Sequence, residues 1–253
     1  MAQKINWILL RGLTRESGHW GAFVAQFAAA LPHARVLALD LPGNGALHRQ
    51  TSPTRVSDMV EQARAQLAGQ AIAPPYHVLA MSLGAMVAVA WSHAHPQELA
   101  AQVLINTSLR PFNPFYQRLR PANYATVLRL GLLGATACEW ERNVLRLTSH
   151  HASEAVLAEW IALRLKHPVT RANALRQLLA AASFRAAQTC PPTPTLLLAS
   201  RQDHLVSVAC SKAIARRWQC ELRLHPTAGH DLPLDDGPWV AQQVRQWCEE
   251  YAA

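Results

Sequence analysis

Tyr76-His77-Val78-Leu79-Ala80-Met81 is a short, mostly apolar run that passes without a break into Ser82-Leu83-Gly84. From Leu83 to His95 the apolar side chains recur at helical spacing, and Pro96 stops them. A buried strand feeding directly into a helix is half of a parallel βαβ unit, and the same half-unit recurs on both sides of this stretch. Upstream, Ile5 to Leu10 and Val36 to Leu39 read as strands. His19 to Leu31 reads as a helix closed by Pro32, and Val56 to Ile72 as a second, followed by Pro74-Pro75. Downstream, Val103 to Ile105, Thr195 to Ala199 and Cys220 to Leu224 read as strands, with helices from Ser207 to Arg217 and Pro238 to Tyr251. Strands that are nearly all apolar, separated by helices, predict an α/β fold with a mostly parallel sheet covered on both faces.

The rhythm is interrupted once. From Arg110 to about Gln188 the chain is rich in Leu, Ala and Arg and shows no strand signal, so it reads as several amphipathic helices. The expected organisation is a core of residues 1–109 and 189–253 with a helical cap, residues 110–188, inserted between two strands. The chain carries 24 Lys and Arg against 16 Asp and Glu, a net charge of +8. Eleven basic and four acidic residues fall in the inserted segment, so nearly all the excess charge is there. Such a patch attracts anions. Two readings stand side by side: an anionic or carrier-bound substrate, and a solvated basic face. The segment has no nucleic-acid-binding motif, so nucleic acid is not an expected partner.

With 253 residues, half of them hydrophobic and 16% charged, the composition is that of a globular chain and excludes intrinsic disorder, collagen-like repeats and a coiled coil. Residues 1–7 lack the apolar run of a secretory leader, and no stretch reaches the length of a membrane span, so a cytoplasmic protein is expected. Five scattered cysteines (Cys138, Cys190, Cys210, Cys220 and Cys248) form no C-x-x-C pair and read as reduced thiols.

Ala80-Met81-Ser82-Leu83-Gly84 is the sharpest local signal. A serine on a strand-to-helix turn, with small residues two positions away on each side, fits a nucleophile elbow, where the two backbones crowd together. It also fits a serine that merely caps the following helix. Asp203 and His230 separate these readings. Asp203 follows the strand ending near Ala199, and His230 follows the strand ending near Leu224. All three residues lie just past the C-terminal ends of predicted strands, where open α/β sheets place their sites. Their order along the chain, Ser, Asp, His, is that of a hydrolase triad. Asp40 reads as a turn residue, and Asp231, Asp235 and Asp236 follow His230 too closely to orient its ring. His93, His95, His150 and His151 have no carboxylate or cysteine at ligand spacing, so no metal site is expected.

On these residues the chain resembles the α/β-hydrolases over essentially its whole length. It is most similar to the small capped serine carboxylesterases, the group that includes pimeloyl-acyl-carrier-protein methyl ester esterases. The resemblance implies a catalytic triad of Ser82, Asp203 and His230, with an oxyanion hole from the backbone N–H groups of Leu13 and Leu83. Arg11-Gly12-Leu13 falls where the family carries a His-Gly loop, so Arg11 stands in place of histidine and Ala80 in place of glycine. Arg11 can hold the loop through backbone carbonyls or pair with a substrate carboxylate. Trp20 can line an acyl pocket or anchor the core. Arg11 and Trp20 are thus the candidate substrate contacts. Phe112, Phe115, Tyr116, Tyr124, Trp140 and Trp160 can roof a cleft or pack between helices. The implied activity is hydrolysis of a small-molecule ester without a cofactor. A thioesterase, a carbon–carbon bond hydrolase and a non-catalytic receptor are the alternatives.

Overall fold

The computed structural model describes residues 5–132, 134–151 and 153–252; residues 1–4, on which part of the expected absence of a leader rests, lie outside them. Six strands form one sheet in the order β2-β1-β3-β4-β5-β6, every neighbouring pair parallel. They are β1 (Ile5–Leu10), β2 (Ala34–Leu39), β3 (Tyr76–Met81), β4 (Leu99–Ile105), β5 (Thr195–Ser200) and β6 (Glu221–His225). Parallel neighbours need crossover connections; α1 (Phe23–Ala30), α2 (Val56–Gly69), α3 (Leu83–Ala94) and, later, α9 (Ala209–Trp218) provide them, while α10 (Leu232–Asp235) and α11 (Gly237–Ala252) follow β6.

Alternation along each strand sorts the core into two layers. Ile8, Leu10, Val78, Ala80, Leu104 and Leu197 face α2, α3 and α9, where Met59, Leu67, Trp91 and Ile214 meet them. Trp7, Leu9, Leu79, Val103 and Leu198 face α1 and α11, against Phe23, Phe27, Val240 and Val244.

Between β4 and β5 the chain forms α4 (Phe115–Arg118), α5 (Tyr124–Leu132), α6 (Ala137–Thr148), α7 (Glu154–Lys166) and α8 (Arg171–Ser183). The last three start at side-chain caps: Thr136, Ser153 and Thr170 each accept the backbone N–H three residues on. In α6 the cap is reciprocal, because Glu139 reaches back to the N–H of Thr136.

Beyond shifts of a few residues at element ends, two elements differ from the sequence reading. The helix expected from His19 is split. Ser17–Trp20 is a 3-10 turn, Gly21 adopts φ 50°, and α1 begins only at Phe23. The break follows from the imidazole of His19, which folds back to accept the N–H of Glu16, and from a glycine free to take positive φ. The short helix α10 was not anticipated; it is a single turn with Pro233 in its first positions, too brief to show a period.

Candidate active site

Ser82 sits between β3 and α3 with φ 54° and ψ −113°. That strained conformation persists only where the surroundings over-determine it. Here they do: the N–H of Ser82 donates to the carbonyl of Ile105 at 3.1 Å, and α3 runs close against the end of β1. A Cβ on Gly84 would lie 2.7 Å from the carbonyl oxygen of Arg11, so only glycine fits. A Cβ on Gly12 would lie 3.2 Å from that of Ser82. Ser82 makes no capping hydrogen bond to α3, which removes the capping reading of the Ala80–Gly84 motif.

The loops after β5 and β6 bring Asp203 and His230 together. His230 Nδ1 and Asp203 Oδ2 are 2.7 Å apart, and both side chains are buried. The other carboxylate oxygen accepts the N–H groups of Leu205 and Val206 at 2.8 Å each, which fixes its orientation. His230 and Ser82 line the same cavity. Leu13 and Leu83 line it as well, and neither backbone N–H donates to another described group. For Leu83 this follows from its place as the first residue of a helix.

One residue that holds this geometry escaped the sequence reading. Asn106, at φ 45° just past β4, donates through Nδ2 to the carbonyl of His230 at 2.7 Å and accepts the N–H of Ser200 at 2.8 Å. It ties the ends of β4, β5 and the histidine loop together. The only local signal was a polar residue ending an apolar strand, Ile105-Asn106-Thr107. Asp235 does similar work from α10, accepting the N–H of Gly229 at 2.6 Å and the hydroxyl of Ser149 at 2.5 Å.

Of the two candidate substrate contacts, Arg11 lines the cavity but is engaged by the protein, and Trp20 lies in the core. Arg11 is 2% exposed and forms a bidentate pair with Asp231, at 3.0 and 2.5 Å. Its Nη1 also lies 3.6 Å from the sulfur of Met81, and the guanidinium stands over the Trp20 ring at 4.8 Å. A buried cation needs a partner of this kind, so its fork is committed to the protein, and to a carboxylate rather than to backbone carbonyls. Trp20 is buried among Phe23 and the α1–α11 layer, beneath Arg11, and does not line the cavity. Asp40 is a turn residue, accepting the N–H groups of Ser17 and Ala46.

The cavity measures about 870 Å³ and is mostly apolar. Phe115, Tyr124 and Trp140 line it, whereas Phe112 packs edge-on against Trp218 and Trp160 against His19. Tyr116 is exposed and packs edge-on against Phe115. Beside the cavity, Arg15 pairs with the buried carboxylate of Glu141 at 2.6 Å, and Arg164 reaches the same carboxylate at 3.4 Å. His19 is enclosed among these groups. Burial, then the charges of Arg15 and Arg11, hold its pKa well below the ordinary imidazole value. Of the histidines considered for a metal, His95 pairs with Glu61 and His150 packs on His204. Among the described residues no three His, Cys, Asp or Glu are grouped to hold a metal, and no helix is long and apolar enough to cross a membrane.

Residues 7–243 match the alpha/beta hydrolase family. Over 244 residues, 88% of this chain and 87% of the other, the sequence is 26% identical to pimeloyl-[acyl-carrier protein] methyl ester esterase of Xylella fastidiosa (strain M12). Among solved structures it is similar to a thermophilic esterase from Thermogutta terrifontis, with a TM-score of 0.77, 19% identity, and 98% and 90% of the two chains covered. It is also similar to the meta-cleavage product hydrolase of Pseudomonas fluorescens IP01, with a TM-score of 0.77, 16% identity, and 98% and 92% covered. These two likenesses concern the fold.

Proposed function

The chain belongs to the alpha/beta hydrolase family, and from that premise we propose that it is a serine hydrolase cleaving carboxylic esters through an acyl-enzyme, with Ser82, His230 and Asp203 as its triad. The observation that carries the reading is the buried 2.7 Å contact between His230 Nδ1 and Asp203, made at the cavity where Ser82 sits on its elbow.

Asp203 holds the imidazole with its proton on Nδ1, so Nε2 is the nitrogen that takes the proton of Ser82. The serine oxygen attacks the ester carbonyl, and the negative charge that forms on the carbonyl oxygen is met by the N–H groups of Leu13 and Leu83. His230 passes the proton to the departing alkoxide, which leaves as the alcohol. Water then attacks the acyl-enzyme, His230 accepting its proton and returning it to Ser82 as the acid is released. Residues 110–188 act as a cap that walls this reaction off from bulk water. The relative from Xylella fastidiosa makes a methyl ester of a carrier-bound acid one candidate substrate. A thioester would use the same groups, with a thiol in place of the alcohol.

Hydrolysis of p-nitrophenyl esters from acetate to palmitate tests the reading. The intact protein is expected to turn over part of this series with an initial burst. Ser82→Ala is expected to lower kcat by about 10⁴-fold or more. Turnover that survives this substitution, in protein free of contaminating esterase, refutes the serine mechanism.

A further inference from the structure

Two of the arginines that line the cavity are accounted for: Arg11 is neutralised by Asp231 and Arg15 by Glu141. Arg118, at the end of α4, is treated differently. It is half-buried and has no carboxylate partner among the described residues. Its Nη2 donates to the carbonyl of Ala181 at 2.7 Å, and its Nε is buried without a hydrogen-bond partner. Arg110 comes in beside it, with Nη1 donating to the carbonyl of Ala182 at 3.3 Å.

Two guanidiniums therefore stand side by side on the last-turn carbonyls of α8. Binding those carbonyls uses one donor from each. It leaves most of both forks unengaged, and it leaves a half-buried cation beside a like charge. Burial, and after it the charge of Arg110, disfavour the protonated form of Arg118. The one carboxylate on the described cavity wall, Asp231, is already taken by Arg11. Elsewhere the wall is dominated by apolar side chains such as Val127, Leu130, Val144 and Leu147.

We propose that Arg118 and Arg110 form an anion subsite for a carboxylate borne by the substrate at the end remote from the scissile ester. The preferred substrates are then half-esters of dicarboxylic acids, with an apolar chain between the two ends. The ester end rests on the serine-hydrolase reading; the anion end rests on Arg118 with Arg110 beside it. A carboxylate bridging two guanidiniums satisfies donors that the protein leaves open and neutralises the uncompensated charge.

The test compares the p-nitrophenyl half-ester of adipic acid with the same ester methylated at its far carboxylate, so that the pair differs essentially in charge. The wild type is expected to favour the charged ester in kcat/KM by about 10- to 100-fold. Arg118→Gln is expected to bring that ratio near one, and Arg110→Gln to lower it by a smaller factor. Arg146→Gln removes an equal charge from the exposed face of α6, away from the cavity, and is expected to leave the ratio as in the wild type. A wild-type ratio near one overturns the proposal. So does an equal fall in Arg146→Gln, which would assign the effect to the general field of the helical segment or to a carrier bound outside.

Calorimetric titration with monomethyl adipate keeps the anion end testable apart from turnover. Binding that weakens about tenfold or more in Arg118→Gln, in a protein that hydrolyses neither ester, sinks the serine-hydrolase reading and leaves the subsite standing. No binding of monomethyl adipate to the wild type sinks the subsite.

Discussion

The sheet core and the helical segment between β4 and β5 are built on different physics. The core is two continuous apolar layers, one on each face of the sheet, and it places Ser82, Asn106, Asp203 and His230 at strand ends whose positions are set by burial. Among the described residues, the inserted segment has a buried apolar cluster of its own of only Leu145, Leu157 and Trp160. Much of what ties it to the core is polar: Arg15 and Arg164 share Glu141, Glu16 pairs with His167 at 3.0 Å, the N–H of Thr14 donates to Gln177, and Ser149 donates to Asp235. Apolar burial is nearly indifferent to pH, whereas a joint made of ions and hydrogen bonds depends on protonation and geometry. The difference teaches that the strand-end residues of the candidate site and the helical segment can be perturbed separately.

Glu141→Gln attacks the joint at its centre, leaving buried Arg15 and partly buried Arg164 beside a neutral amide. Breaking a buried pair this way typically costs about 3–5 kcal/mol. The loss is expected to fall on the insertion, read by hydrogen exchange as faster opening of α6 to α8 with β3 still protected. Equal loss of protection in β3 would show that the two regions unfold as one unit and would break the contrast. Leu79→Ala, a fully buried position in β3, is the counterpart in the core. It is expected to cost about 2–5 kcal/mol in denaturant unfolding, with little dependence on pH between 5 and 8.

The smallest effect sharpens the contrast through pH. His19 lies at the joint, its ring 5.3 Å from Trp160, and its folded-state pKa is depressed. The unfolded chain therefore binds the proton more readily, so stability is fully present above about pH 6.5 and is lost as the pH falls below it. The slope from this residue is at most about 1.4 kcal/mol per pH unit. His19→Gln should flatten the unfolding free energy between pH 6.5 and 5; an unchanged slope would place the pH sensitivity elsewhere.

Much of the sheet was legible because its signals are local. Apolar runs such as Thr195–Ala199 report buried strands, and Pro32 and Pro96 stop helices wherever they stand. Ser82, Asp203 and His230 were legible because each follows its own strand. What escaped was long-range. Asn106 matters through the histidine loop that it holds, more than a hundred residues away. Nothing near Arg11 announces Asp231, and nothing near Arg15 announces Glu141. Of the two readings of Trp20 the core anchor is the one seen, and it could not be chosen locally, because the guanidinium that covers the ring is placed by a residue 220 positions from Arg11.

That Arg11–Asp231 pair has a practical consequence for anyone transplanting parts between proteins of this fold. Arg11 opens the loop that carries the N–H of Leu13, and Asp231 follows directly on His230, so two segments far apart in the chain form one interchangeable part. A graft of residues 11–13 into a scaffold with an apolar residue after its histidine would introduce a buried, unmatched cation. The reverse graft would introduce an unmatched carboxylate next to the imidazole. Exchanged together they travel as a neutral cassette, and a motif search that expects histidine at the first position would pass over chains that use it.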